Sequence, residues 1–201
     1  MMGDPNPASN NIPQSSRSNI PQSSRSNIPQ SSRRRSVQPR TPRILLGACG
    51  CTDAAKFSLL CQFFCRWADI DVVFTRAAIP FLQVSPIPRP AFNPRKTAAQ
   101  HLEWADVMVI APLSANTLAK IAQGISDNTL TEIVRGWDPN KPLYVAPAMD
   151  PVAWNNPLTK QHRKRCDELG ITIIDPSSLG QMAEPTEISY IVRISNEEIW
   201  D

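Results

Sequence analysis

The sequence predicts a three-layer, doubly wound α/β domain with a mostly parallel sheet. Short runs that are apolar on both faces alternate with segments of helical periodicity, and each run gives way to small or polar residues before the next helix begins. The chain of 201 residues, 41% of them hydrophobic, is long enough for one compact domain with its own core.

The first run, RILLG at 43–47, reads as a strand, followed by a turn of small residues at 48–52. From Asp53 the spacing becomes helical: Phe57, Leu60, Cys61, Phe64 and Trp67 fall on one stripe, which makes Cys61 a core residue of an amphipathic helix. The runs 71–75, 107–112, 143–147 and 171–174 read as the remaining strands. Helices are expected at 98–105, 115–124, 130–136 and 157–170, where Gly170 suits a C-terminal cap.

Residues 1–42 stand apart. Three copies of NIPQSSRS or its truncation fill 11–33, and Arg33, Arg34 and Arg35 close the series. One isoleucine per unit, each followed by proline, buries too little surface to offset the entropy of ordering, so 1–42 is expected to be a disordered tail and 43–201 the folded domain. The net charge of +3 divides unevenly: residues 1–43 carry +6 and the remainder −3. The tail reads as a contact for an acidic partner, an Arg-directed phosphorylation site at Ser36, an organellar transit sequence or a solvated extension. It has no aromatic residue, which argues against nucleic acid as a partner. No apolar run reaches the length of a membrane span, and no signal sequence is evident, so neither a spanning nor a secreted protein is expected. The odd count of five cysteines reads as reduced thiols in the cytoplasm, with nuclear or organellar targeting by the tail left open.

In a doubly wound sheet the ligand sits outside the carboxyl ends of the strands. The residues there are Gly50, Cys51 and Thr52; Thr75, Arg76 and Ala77; Ser114, Ala115, Asn116 and Thr117; and Ala148, Met149 and Asp150. Free backbone amides and hydroxyls at helix starts suit a phosphate-bearing cofactor. The sequence has no GxGxxG, Walker or GxSxG pattern. Cys49-x-Cys51 with only two histidines, His101 and His162, does not make a tetrahedral metal set, so no metal is expected.

The blocks APLSANTLAKIAQG at 111–124, SDN at 126–128, APAMD at 146–150 and WNNP at 154–157 resemble the flavin-dependent cysteine decarboxylases, most closely the plant-type phosphopantothenoylcysteine decarboxylases. CGCTDAAKF at 49–57 is similar to that family's SGSVAAxKF. Thr75 to Leu82 resembles TKxAxxFL, and Met182 to Pro185 its MAEP clamp. The resemblance implies a flavodoxin-like or Rossmann-type fold, a homotrimer, and FMN bound by Gly50 to Thr52, Thr75 to Ala77 and Ser114 to Thr117. Met149 would lie near the flavin ring, with Asp150, Met182 and Ala183 near a phosphopantothenoylcysteine or related thiol substrate. The implied reaction is oxidation of the cysteine thiol followed by loss of carbon dioxide, yielding 4′-phosphopantetheine.

The chain departs from the family where the chemistry is done. Counting back from Trp104, the family's catalytic His falls on Ala98; His101 is the alternative base, or else an exposed helical residue. The family's PAMN reads PAMD, setting Asp150 against the substrate carboxylate. No cysteine precedes MAEP, Cys166 reads as packing, and prolines at 86, 88, 90 and 94 replace a longer connection, through divergence or a misjoined gene model. Asp53 adds negative charge beside the expected phosphate. FMN binding is therefore expected to be more robust than decarboxylation. Three readings stay open: a decarboxylase, alone or in a mixed trimer whose other subunit supplies the His; a regulatory flavoprotein acting on a partner such as a protein phosphatase; and an enzyme of this family with another substrate.

Overall fold

A computed structural model describes residues 40–82, 93, 95–177 and 179–200. The chain divides into two units, Met1–Val37 and Gln38–Asp201, and every element below belongs to the second. The expectations for the repeat tail and for most of the proline-rich segment after Leu82 fall outside the described residues.

Strands β1 (Arg43–Ala48), β2 (Asp69–Phe74), β3 (Val107–Leu113), β4 (Leu143–Pro147) and β5 (Ile171–Ile173) form one parallel sheet in the order β2-β1-β3-β4-β5. The runs are mostly apolar because helices cover both faces, Asp71 of β2 being the buried charged exception. On one face Ile44, Leu46, Val72, Val107, Val109 and Tyr144 meet Phe57, Leu60 and Phe64 of helix α1 (Phe57–Phe64) and Ile188 and Val192 of helix α8 (Pro185–Ile194). On the other, Leu45, Val73, Met108, Ile110 and Val145 meet α3 (Ala98–Trp104), α4 (Ala115–Gln123), α5 (Thr129–Gly136) and α7 (Pro157–Glu168). Short helices α2 (Ile79–Leu82), α6 (Pro151–Asn155) and α9 (Glu197–Trp200) complete the set.

The expected elements are present, with three differences. The helix read from Asp53 to Trp67 is a 3-10 turn, Thr52–Lys56, followed by α1. Trp67 lies in the turn after α1, where its indole N–H donates to Ser189 Oγ of α8 at 3.0 Å. Helices α2, α6, α8 and α9 are additional to the expected set. Helices α6 and α8 both begin with proline at the first position, where the missing N–H costs nothing. Gly124 and Gly170 end α4 and α7 in the left-handed region, at φ of 69° and 76°. Cys61 and Cys166 are fully buried, as the spacing requires.

One polar junction fixes the amino edge. Asp106, in the turn between α3 and β3, accepts from the Arg43 backbone N–H at 3.1 Å and pairs with the guanidinium groups of Arg43 at 3.2 Å and Arg40 at 2.7 Å. Burial raises the Asp106 pKa, but the Arg43 and Arg40 contacts outweigh it and hold the carboxyl below the usual range. A depressed folded pKa contributes stability that is present above the unfolded value and lost as pH falls through the folded one. The urea midpoint is therefore expected to fall as pH drops below about 4, and to fall less steeply in Asp106→Asn. Parallel titrations of the two proteins by circular dichroism check this.

Candidate functional site

The strand order places a topological switch between β1 and β3, from which the chain leaves toward opposite faces, so a crevice opens at their carboxyl ends. The loops around it are joined in sequence. Thr75 N donates to Ala48 O at 3.0 Å and Cys49 N to Pro112 O at 2.9 Å, holding the first loop between β2 and β3. A Cβ on Gly50 would lie 2.5 Å from both Ala77 Cβ and Ala77 O, so only glycine allows the two loops to meet. Ala148 N donates to Leu113 O at 2.9 Å, and Met149 N to Gly180 O at 3.0 Å. Met182 N then donates to Asp53 Oδ2 at 2.8 Å, returning the ring to the first loop.

The groups exposed to this crevice are those that receive anions. Ser114 caps α4: its Oγ accepts from Thr117 N at 3.3 Å and donates to Thr117 Oγ1 at 3.2 Å. The N–H groups of Ala115 and Asn116 lie in the first turn, where no carbonyl of the helix can reach them. Thr75 Oγ1 is buried and has no hydrogen-bond partner among the described residues. Gly50 and Cys51 are half-buried, whereas Thr52, Arg76, Ala77 and Asn116 are exposed. Burial pushes the Cys51 thiol up to about 11, and the fully buried Cys49 thiol is also raised, against opposing hydrogen bonds from Thr117 and Ser114. Both thiols are thus protonated at neutral pH and are weak nucleophiles.

The ring gathers most of the residues expected at the site, with different exposures. Met149 is half-buried beside Gly180, which takes φ +77° because a Cβ there would lie 2.0 Å from Met149 O. Asp150 is exposed and caps α6, its Oδ1 accepting from Ala153 N at 2.9 Å. Met182 and Ala183 are buried with the α1 core, so they can present only backbone to a ligand. Asp53 does not face the crevice with a free carboxylate, since Oδ2 holds the Met182 amide.

His101 lies elsewhere. It is 2% exposed, which corrects the alternative of an exposed helical histidine. Its Nδ1 stands 3.0 Å from Asp71 Oδ2, off the hydrogen-bond direction, and Lys96 Nζ reaches the same oxygen at 2.6 Å. Asp71 pairs in register with Leu45, midway along the edge strand β2 and roughly 13 Å down the strand from Thr75. Burial raises the Asp71 pKa, but His101 and Lys96 together outweigh it and hold the carboxyl low. Sequence reading missed this cluster because its only early sign was one acidic residue inside an apolar run, Asp71 among valines.

A family model described as Flavoprotein matches residues 32–197. The chain belongs to the flavoprotein family. A phosphopantothenoylcysteine decarboxylase of Arabidopsis thaliana is 45% identical over 179 residues, 78% of this chain and 86% of the relative. The solved structure of the FMN binding protein AtHal3 matches at 41% identity with a TM-score of 0.72, covering 79% of this chain and 98% of that one. A PPC decarboxylase mutant complexed with pantothenoylaminoethenethiol matches at 42% identity with a TM-score of 0.71, covering 79% of this chain and 100% of that one. The flavodoxin-like α/β fold of this flavoprotein matches that of the solved decarboxylases. No described helix is long and apolar enough to cross a membrane.

The contact between Gly50 and Ala77 joins two loops of this flavoprotein's crevice with no room for a side chain. Gly50→Ala is expected to destabilise the fold by about 1–3 kcal/mol through overpacking, and Gly50→Ala combined with Ala77→Gly to recover part of the loss. Urea denaturation of the three proteins measures both effects.

Proposed function

We propose that this flavoprotein binds FMN at the β1–β3 switch and acts in the manner of a phosphopantothenoylcysteine decarboxylase. The observation that carries the reading is the backbone-lined crevice itself. The groups around it fit a phosphate: a glycine loop with no room for a side chain, an unpartnered Thr75 hydroxyl and the free amides that begin α4. The identity to plant decarboxylases and the likeness to an FMN binding protein support the same cofactor.

The assigned roles follow position. Gly50, Cys51 and Thr52 with Ser114, Ala115, Asn116 and Thr117 hold the phosphate end, and Thr75, Arg76 and Ala77 close the side toward β2. Met149 borders the flavin ring, while Asp150 and the backbone of Met182 and Ala183 border a phosphopantothenoylcysteine or related small thiol. Bound FMN supplies the oxidation of the substrate thiol that lets the carboxylate depart as carbon dioxide.

The base is the weak point of this chain. Ala98 opens α3, which runs back into β3, so the helix starts toward the carboxyl edge with Ala98 itself buried against the core. His101, one turn deeper and engaged by Asp71, is a packing group in this reading and not the base. Turnover by the chain alone is slow, and a mixed trimer with a homologue that provides the histidine restores it.

The test is an anaerobic titration of the FMN-loaded protein with phosphopantothenoylcysteine, followed through the visible flavin absorbance. Stoichiometric FMN binding with slow bleaching is expected. Ala98→His should accelerate the bleaching on the order of 100-fold, the usual size of general-base assistance, while His101→Gln leaves its rate unchanged and lowers the urea midpoint. Failure to bind FMN overturns the reading. FMN binding without any bleaching, in either the parent or Ala98→His, leaves a flavoprotein with different chemistry.

A further inference from the structure

A strap made of residues 174–177 and 179–184 crosses the carboxyl edge. It leaves β5, turns through Ser177 N to Gln181 O at 2.8 Å and Gly180 N to Ser177 O at 2.9 Å, and receives Met149 N at Gly180 O. It thus passes the end of β4 and crosses toward the 3-10 turn after β1, where Met182 N meets Asp53 Oδ2. Just beyond, Glu184 Oε1 pairs with Lys56 Nζ at 2.9 Å, and α8 begins. The exposed Glu184 pair contributes little, whereas the Asp53 contact is a charge-assisted bond to a main-chain donor that is partly shielded from water.

Asp53 is two residues past Cys51, on the turn that continues the glycine loop. Its position is alanine in the family motif that this loop resembles. The carboxylate keeps its negative charge there, and its Oδ2 is turned to the strap. The same turn therefore carries the cofactor loop on one side and the strap's anchor on the other.

We propose that Asp53 is a positioning residue that couples occupancy of the glycine loop to placement of the strap bearing Met182 and Ala183. The proposal rests on the reading of that loop as the FMN phosphate site. A phosphate on the amides of Gly50 to Thr52 stiffens the 3-10 turn, and the carboxylate transmits the restraint to the Met182 amide. By reciprocity, an anchored strap strengthens cofactor binding by the same factor.

Backbone hydrogen exchange, read by mass spectrometry on peptides covering 49–56 and 176–184, tests this in the full chain, Asp53→Ala and Asp53→Asn, each with and without FMN. Without cofactor, the Met182 amide should exchange at least tenfold faster in Asp53→Ala than in the parent. Asp53→Asn should restore protection, because its amide oxygen accepts the same bond. Adding FMN should slow exchange at Met182 at least threefold in the parent and Asp53→Asn, but only at 49–56 in Asp53→Ala. Equal exchange at Met182 in the parent and Asp53→Ala, before FMN is added, overturns the anchor. Equal FMN-induced protection of Met182 in both overturns the coupling. If FMN protects 49–56 in none of the proteins, the cofactor assignment fails and the coupling with it, while the cofactor-free comparison still decides the anchor.

Discussion

The structure depends on one topological constraint: β1 and β3 are neighbours in the sheet, but the chain leaves them toward opposite faces. Neither exit can cover the other, so main-chain amides at both loops stay open at a point where the rest of the sheet is sealed by helices. Parallel strands buried on both sides supply the rigidity, and the loops supply the polarity. Gly50 shows how tightly the two are fitted, since the β1 and β2 loops touch through it and a single methyl group would separate them. A ligand in such a crevice meets mainly backbone donors, which are the same whichever side chain stands at Cys51.

Much of this was legible in the sequence because the relevant signals are local. Strands apolar on both faces, small residues at their ends and the serine before α4 each declare themselves within a few positions. The long-range pairings were not legible. Nothing near Asp53 in the sequence signals its partner, the Met182 amide, 129 residues away. His101 looked exposed because its neighbours on α3 are polar, and its burial follows only from Asp71 on a separate strand. Helix α8 was missed because its inward face is short, with Ile188 and Val192 separated by the polar Ser189.

The Asp71, His101 and Lys96 cluster shows what a buried charge requires. The acid sits 3% exposed in an otherwise apolar layer, and only two basic partners with the Val72 amide at 3.0 Å make that tolerable. Lys96 also lies 4.9 Å over the Trp104 ring, so this residue, two positions before α3, is tied both to the sheet and to the end of the helix. The arrangement ties α3 to the edge strand β2.

Helix α8 has a consequence for how the chain acquires its structure. It completes the layer begun by α1, and the indole of Trp67 finds its acceptor on Ser189 only across 122 residues of sequence. During synthesis, the α1 side of the sheet therefore remains without its cover after all five strands have emerged. Closure of that layer needs a contact of high sequence separation, the kind that slows folding. Until then Phe57, Phe64 and Tyr144 border an open apolar surface, and the nascent protein is most exposed to aggregation just before its last layer arrives.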